Sequence, residues 1–291
     1  MKHTLIIILS VIRFNFYAQT SPQDSLKAAV QNYTKAIAAN PKDVNAYFHR
    51  GLSKGLLDDY KSAIEDFTKV IELAPKDTSA YYNRGYCKGI IEDYKSAIID
   101  LNKAIELDPK DPASYYYRGL SKGNLEDNAG AMLDYNKAIE LDAKYADAYF
   151  SRGLCNSISE EYQGAIKDYS KVIELDAKYA DAYYNRGLSH SKLKDYKAAI
   201  QDYTKTIELD AEHLAAYFHR GLCESMLSDY AGAIKDYSKV IELNPKDAVS
   251  YYDRGNAKQK AGDKPGACSD WKKADELGNA DAKDAVTKNC K

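Results

Sequence analysis

Apolar and small residues recur along most of the chain at intervals of three and four positions, the spacing that lines one face of an α-helix. In the first clear stretch this pattern predicts two helices, over 46–57 and 60–73. Asp58 and Asp59 form the expected turn between them, and Pro75 marks the break before the next stretch. Helix, turn and helix then repeat along the chain, so the sequence predicts an all-α fold.

The pattern is copied at a fixed period of 34 residues, counted from the dipeptide Arg-Gly. A Tyr lies four residues before each Gly, an Ala lies twelve residues after it, and an aromatic residue or Leu follows that Ala by four. We expect each Gly to face the Ala of its own copy, because two small residues let the helices approach closely. One helical hairpin cannot bury its apolar face alone, so the copies are expected to stack.

These offsets, together with a Pro near the end of three copies, resemble the tetratricopeptide repeat. The resemblance implies a right-handed superhelical solenoid of stacked antiparallel helix pairs. Seven repeats are expected over 44–281, after a half repeat over 20–43 that keeps only its second helix, and before a C-terminal capping helix over 282–291. In this family the first helices line a concave groove that binds extended peptides or partner helices.

The chain departs from the family three positions after each Gly. The usual large residue is replaced there by Lys54, Lys88, Lys122, Asn156, His190, Glu224 and Lys258. We expect this departure to alter the surface and to leave the fold unchanged.

The first residues resemble a secretory leader. Lys2 and His3 precede an apolar run over 5–12, which Arg13 interrupts and which is too short to span a bilayer. We interpret 1–19 as a signal peptide, with an apolar N-terminal strand as the alternative, and expect no transmembrane segment in the mature chain. The end of this segment resembles leaders of some Gram-negative envelope proteins, which implies export to the periplasm or the cell exterior.

Every Arg after the leader lies directly before a repeat Gly, and an Asp follows each of them by sixteen residues. A charge on the packing face of a helix needs a partner. Asp66 and Arg84 are also symmetric about Pro75, so we expect a ladder of Arg–Asp ion pairs within and between repeats. A row of ligand-binding arginines is the alternative. The ladder residues are Arg50, Arg84, Arg118, Arg152, Arg186, Arg220, Arg254, Asp66, Asp100, Asp134, Asp168, Asp202, Asp236 and Asp270.

Two of the five cysteines are expected to form a disulfide. Cys268 and Cys290 lie eleven residues on either side of Asn279, in one helix and its expected antiparallel neighbour. In an oxidising compartment this bond would hold the terminal cap. The remaining cysteines recur 68 residues apart, too far to bridge, and are expected to pack as small apolar side chains. They are Cys87, Cys155 and Cys223.

A second aromatic residue follows each recurring Tyr and places an aromatic row on the first helices. This row is Phe48, Tyr82, Tyr116, Phe150, Tyr184, Phe218 and Tyr252. Beside it lie polar residues that differ between repeats, as expected of residues that select a partner. They include His49, Asn83, Asn185 and His219. We expect the row to bind apolar or aromatic parts of a partner; packing between helices is the alternative role for the same rings.

Composition and motifs narrow the function. Lys+Arg 41 against Asp+Glu 43 gives a net charge of −2, which provides no global basic charge for nucleic acid. The sequence has no metal-ligand spacing of His and Cys, no phosphate-binding loop and no serine nucleophile motif. We therefore predict a non-enzymatic scaffold, without metal or cofactor, that binds a protein or peptide. A glycan-binding module of the cell envelope and a self-associating structural protein are the alternatives.

Overall fold

The computed structural model describes residues 21–290, which form sixteen α-helices and no β-strand. The all-α prediction is confirmed for this part of the chain, while the predicted signal peptide over 1–19 lies outside it. The helices are α1 (Pro22–Ala39), α2 (Val44–Leu56), α3 (Tyr60–Leu73), α4 (Thr78–Ile90), α5 (Tyr94–Leu107), α6 (Pro112–Asn124), α7 (Asn128–Leu141), α8 (Ala146–Ile158), α9 (Tyr162–Leu175), α10 (Ala180–Lys192), α11 (Tyr196–Leu209), α12 (Leu214–Met226), α13 (Tyr230–Leu243), α14 (Ala248–Lys260), α15 (Lys264–Glu276) and α16 (Ala282–Asn289).

The described part of the chain divides into two compact units, with the division between Asp108 and Pro109. In the first unit α1 packs on α2, and α2 to α5 form two consecutive pairs. In the second unit α6 to α15 form five consecutive pairs, each packed on the next, and α16 packs on α15. Because three residues join the two packed helices of each pair, those helices are antiparallel. The single helix α1 lies in the predicted half repeat, and α16 lies in the predicted cap.

Most helices begin at an Asp whose side chain accepts a hydrogen bond from a backbone N–H of the first turn. Asp59 Oδ1 accepts from the Ser62 N–H at 3.3 Å. Tyr145 and Tyr179 replace this Asp before α8 and α10 and provide no side-chain cap. Their rings pack instead on an aromatic residue of the preceding first helix. These two helix starts therefore use aromatic packing in place of a capping hydrogen bond.

Small residues and one large ring form the core of a repeat. In the fourth repeat, Ala165 and Tyr169 of the second helix are both fully buried. A Cβ added at Gly153 would lie 2.7 Å from Tyr169 Cε1, so only Gly leaves room for this ring. The aromatic ring thus occupies the space nearest Gly153, while in the second repeat the expected closeness of Gly and Ala is seen, since a Cβ added at Gly85 would lie 3.2 Å from the Ala97 carbonyl oxygen.

Candidate partner-binding site

Each repeat Arg makes a bidentate ion pair with the Asp of its own repeat. Arg50 Nε donates to Asp66 Oδ2 at 2.9 Å, and Arg50 Nη2 donates to Asp66 Oδ1 at 2.6 Å. The Asp66 side chain is only 3% exposed. The hydrogen bond to Asp66 raises the pKa of Arg50, so the guanidinium stays charged. The same pairing joins Arg84 to Asp100, Arg118 to Asp134, Arg152 to Asp168, Arg186 to Asp202, Arg220 to Asp236 and Arg254 to Asp270.

The remaining guanidinium nitrogen links a repeat to the one before it. Arg84 Nη1 donates to Thr68 Oγ1 at 3.1 Å, sixteen residues earlier in the chain. The predicted ion pair between Asp66 and Arg84 is wrong, because Arg84 takes its charge partner, Asp100, from its own repeat. Sequence reasoning missed the hydroxyl and amide acceptors, although Thr, Ser or Asn recurs at this position. The other acceptors of this kind are Thr34, Asn136, Ser170, Thr204 and Ser238.

The residue three positions after each Gly completes the charge network. Lys54 Nζ lies 2.8 Å from Asp66 Oδ2, so the buried carboxylate has two cationic partners. Asn156 replaces the Lys in the fourth repeat and donates to Asp168 at 3.0 Å. Sequence reasoning took this position for a surface change, yet a Lys one helical turn after the Arg lies on the same helix face. Equivalent ion pairs are made by Lys88, Lys122 and Lys258.

The ring of the recurring Tyr also contacts the Arg guanidinium of its repeat. Arg50 Cζ lies 5.5 Å from the centroid of the Tyr47 ring, and the distance in all seven repeats is between 5.3 and 5.8 Å. A planar guanidinium can make this contact and a bidentate pair at once, which a Lys ammonium cannot. The donors of the arginines are thus used inside the fold, which favours the structural role over the ligand-binding alternative.

The aromatic row on the first helices is half-buried. Phe150 packs on the buried Tyr169 of its own pair, with ring centroids 5.6 Å apart, and on Tyr179 at 5.1 Å. Tyr116 and Tyr184 have the same two kinds of neighbour. The rings therefore pack helices against each other, and part of each ring stays exposed on the surface of the first helices. The other members of the row are also half-buried: Phe48, Tyr82, Phe218 and Tyr252.

The four predicted polar positions differ in exposure. His49 is exposed and stacks on Tyr33, with ring centroids 5.7 Å apart. Asn83 and Asn185 are half-buried, and each amide donates to a carbonyl one turn earlier in its own helix at 2.8 Å. His219 is half-buried beside two tyrosine rings, and burial lowers its pKa, so its imidazole is neutral at pH 7. At Asn83, Asn185 and His219 the aromatic row is thus bordered by neutral polar side chains.

Two of the cysteines form a disulfide, and the other three are buried thiols. The sulfur atoms of Cys268 and Cys290 lie 2.09 Å apart, at disulfide-bonding distance, and so connect α15 to the end of α16. The other three cysteines are free and buried. Burial raises the pKa of the Cys87 thiol to about 12, so this residue is protonated at neutral pH and packs as an apolar side chain.

Within residues 21–290, no group of three or more His, Cys, Asp or Glu side chains is arranged to hold a metal ion. None of the helices described has both the length and the apolar composition needed to cross a membrane.

The first helices do expose apolar side chains near the aromatic row: Leu154 is 36% exposed and Val249 is 47% exposed. These side chains add to the exposed apolar surface of the first helices.

Models of known protein families match most of the helix pairs. Models of the tetratricopeptide repeat and the TPR repeat match 44–77, 78–111, 112–145, 158–194, 180–213 and 214–247. Together these matches cover more than half of the chain. Comparison with curated proteins finds no match.

Several solved structures are similar. YrrB, described as a TPR protein with an unusual peptide-binding site, is 26% identical, with a TM-score of 0.55 over 64% of this chain and 96% of its own. MamA is 29% identical, with a TM-score of 0.55 over 59% of this chain and 93% of its own. The C-terminal part of a TPR repeat-containing protein from Cytophaga hutchinsonii has a TM-score of 0.71 over 82% of this chain and 99% of its own. At 21% identity, that last similarity supports the fold alone.

The 34-residue period, the consecutive helix pairs and the family matches agree with one another. Repeats of this kind form protein-interaction scaffolds, which bind protein or peptide partners and are typically non-enzymatic. The chain belongs to the tetratricopeptide repeat family.

Proposed function

We propose that the protein binds an extended peptide or a partner helix along the first helices of its repeats, in a groove suited to apolar or aromatic side chains. The aromatic row carries this proposal, because a buried ring of the second helix packs against five of its seven half-buried rings. Aromatic side chains held in this way lose little conformational entropy on binding and are frequent anchors of interfaces. The similarity to YrrB, whose structure includes a peptide-binding site, supports the same mode.

The polar border of the row suggests the character of the partner. In the second unit, Asn185 and His219 present neutral groups beside the rings. Asp253 occupies the equivalent position in the seventh repeat, where burial raises its pKa to about 6. A surface with half-buried rings and few free charges fits a segment whose contacts are mainly apolar.

A crosslinked pull-down from an envelope fraction tests this proposal. The groove variant combines Leu154→Arg with Asn185→Arg, two first-helix positions of the second unit. The control variant combines Gln163→Arg with Gln201→Arg, which add the same charge at exposed positions of the second helices. All three proteins should first be shown to melt alike.

We expect a protein that the parent and the control capture and that the groove variant loses. For the purified partner, calorimetry should then show a dissociation constant raised by about tenfold or more in the groove variant. Equal capture by all three proteins would refute binding along the first helices.

We also propose that the protein is exported. The leader-like pattern of 1–19 supports export, and so does the cysteine pair at bonding distance, since disulfides persist in oxidising compartments. Cell fractionation with sequencing of the mature N-terminus tests this. We expect an envelope or secreted protein that begins after Ala18 or Gln19; an unprocessed chain in the cytoplasm would contradict export.

The glycan-binding and self-association alternatives stay predictions of the sequence. Binding of the purified protein to isolated cell-wall polymer, without any other protein, would support the first. Sedimentation at increasing concentration addresses the second, and a monomer throughout would weigh against it.

A further inference from the structure

Large apolar side chains are exposed where the first helices of the second unit end. Ile158 and Met226 are the last residues of α8 and α12 and are 67% and 65% exposed. Leu125, Leu193 and Leu227, each directly after a first helix, are exposed as well. We call these five residues, with the acidic residues that follow them in the turns, the turn edge. Exposed apolar patches, especially those rimmed by polar residues, mark interaction sites on soluble proteins.

These residues lie along one edge of the second unit. The first helices α8 and α10 contact each other, as do α10 and α12. A second helix runs back between successive first helices, so the first helices point in the same direction and end at the same side. The apolar ends therefore recur in four successive repeats along this side, at the ends of α6, α8, α10 and α12, whereas α14 ends at Lys260.

Acidic side chains accompany the apolar ones at the turn edge. Each apolar end is followed within three residues by one or two exposed carboxylates, and the exposed bases beside them are Lys192, the last residue of α10, and Lys194. The acidic residues are Glu126, Asp127, Glu160, Glu161, Asp195 and Asp229. The edge thus combines apolar side chains with an excess of negative charge.

The opposite ends of the same helices lack this combination. Of the turns that lead from a second helix into the next first helix, those over 142–145, 176–179 and 244–247 carry charges of both signs, and the turn over 210–213 carries Asp210 and Glu212 beside His213. No large aliphatic side chain is exposed in them. The apolar and acidic character therefore belongs to one edge and is not a general property of the turns.

We infer that the turn edge is a second interaction surface, which binds a basic amphipathic segment of a partner protein. Apolar side chains of such a segment would contact Ile158 and Met226, and its Lys or Arg residues would face Glu160, Glu161 and Asp229. Charge complementarity of this kind sets orientation and rejects partners of the wrong charge. The surface is separate from the aromatic row, which lies towards the start and middle of the same helices.

The same charges argue against two other occupants. Anionic lipid headgroups would be repelled by the carboxylates of the edge. A second copy of the chain would bring an equally acidic edge to the contact, and like charges placed together oppose association.

Two labelled peptides of about 18 residues test the inference, one with Leu and Lys in a helical amphipathic pattern and one with Glu in place of each Lys. Fluorescence anisotropy measures their binding to the full mature protein. The apolar edge variant is Ile158→Ser with Met226→Ser, and the charge variant is Glu160→Lys with Glu161→Lys. Leu133→Ser removes an equally exposed apolar side chain from a second helix and serves as the matched control. Thermal melts check that all variants fold.

We expect the Leu/Lys peptide to bind, the Leu/Glu peptide to bind at least about tenfold more weakly, and each edge variant to weaken Leu/Lys binding by a similar factor. Binding should fall at high salt and should be unchanged in Leu133→Ser and in Asn185→Arg, which lies beside the aromatic row in the middle of α10. Absence of Leu/Lys binding, equal binding of both peptides, or full binding by the edge variants would overturn the inference. Loss of binding in Asn185→Arg alone would place the peptide on the aromatic row, against this inference and in favour of the proposed groove.

Discussion

Asp168 shows how a repeat keeps a charge in its core. A buried carboxylate is stable only when it is neutralised and hydrogen-bonded. Asp168 is 3% exposed and accepts two hydrogen bonds from Arg152 and one from Asn156. Arg152 in turn donates to Asn136 of the preceding repeat and lies against the Tyr149 ring. The shape of the guanidinium, as well as its charge, therefore fits this position.

Replacing Arg152 with Lys should lower the free energy of unfolding by about 1–3 kcal/mol, because an ammonium cannot make both bonds to Asp168 and the bond to Asn136. Urea unfolding at neutral pH measures the effect. Lys171→Arg, in an exposed pair with Glu174, is the control and should change stability by less than about 0.5 kcal/mol. An unchanged unfolding midpoint for Arg152→Lys would contradict a stabilising ladder.

The sixth repeat departs from the network at Glu224. This residue occupies the position where other repeats place a Lys against the buried Asp. Glu224 Oε2 is buried without a hydrogen-bond partner, and Oε1 is 4.0 Å from Arg220 Nε. Burial, and then the negative charge of Asp236, raises the pKa of Glu224 to about 7, with Asp229 also contributing. The charged form of Glu224 is therefore disfavoured in the folded protein.

Glu224 should make stability depend on pH. Its pKa is higher in the folded than in the unfolded chain, so the folded state binds the proton more tightly and loses stability as pH rises from about 4.5 to about 7. Glu224→Gln should remove this part of the slope. Glu224→Lys should restore the ion pair seen at Lys258 and raise the free energy of unfolding at pH 8 by about 1–3 kcal/mol. Unfolding curves at pH 5 and pH 8 measure both effects, and parallel shifts of parent and Gln variant across this window would contradict the account.

At the scale of the element, the turns inside the helix pairs hold backbone strain. Six of these turns place a non-glycine residue in the left-handed region, with φ between 61° and 66°. The seventh uses Gly262, with φ of 94°. Side chains are disfavoured in this region because Cβ approaches the following carbonyl, whereas Gly adopts it freely. The residues concerned are Asp58, Glu92, Glu126, Glu160, Lys194 and Ser228.

Replacing Glu160 with Gly should therefore raise the free energy of unfolding by about 0.5–1 kcal/mol, the relief of strain exceeding the added entropy of the unfolded chain. The reverse change, Gly262→Ala, should lower it by about 1 kcal/mol. Thermal unfolding of both variants measures the pair of effects. A loss of stability in Glu160→Gly would show that the side chain contributes more than the strain costs.

The terminal cap depends on a covalent link. Cys268 and Cys290 close a loop of 22 residues, for which loop entropy gives a stabilisation of about 3 kcal/mol. Cys268→Ser should therefore release α16, and hydrogen exchange should show faster exchange there while α6 to α12 stay protected, since each repeat depends mainly on its neighbours. The denatured, unreduced mature protein should contain three free thiols. A larger thiol count, or unchanged exchange in α16, would contradict the link.

At the scale of the molecule, the helices could be predicted from sequence because one local pattern of residues recurs in seven copies. The period fixed the helix pairs, and the segregation of Arg to one position indicated its pairing with an Asp sixteen residues later. The contact between repeats was predicted wrongly. Symmetry about Pro75 indicated Asp66 as a partner of Arg84. Two nitrogens of the Arg84 guanidinium instead donate to Asp100 of the same repeat, and the third donates to Thr68.

The binding surface was harder to predict than the fold. Helical periodicity shows that Phe150 and Tyr184 share a face, but not how much of each ring the neighbouring repeat covers. The exposed ends at Ile158 and Met226 follow from three-dimensional stacking and carry no local signal. Within each unit, the proposed surfaces therefore consist of side chains that stacking leaves uncovered, and a pattern of apolar and polar residues cannot distinguish such side chains from the core.

Site-specific photocrosslinking tests the central claim, that partners bind along the first helices. A photoreactive residue is placed at Asn185 on the first helix α10 or at the exposed Gln201 on the second helix α11. Both proteins are irradiated with the captured partner, and the crosslinked peptides are identified by mass spectrometry. We predict crosslinks from position 185 and none from position 201. Crosslinks from position 201 alone, or equally from both, would contradict the proposed groove.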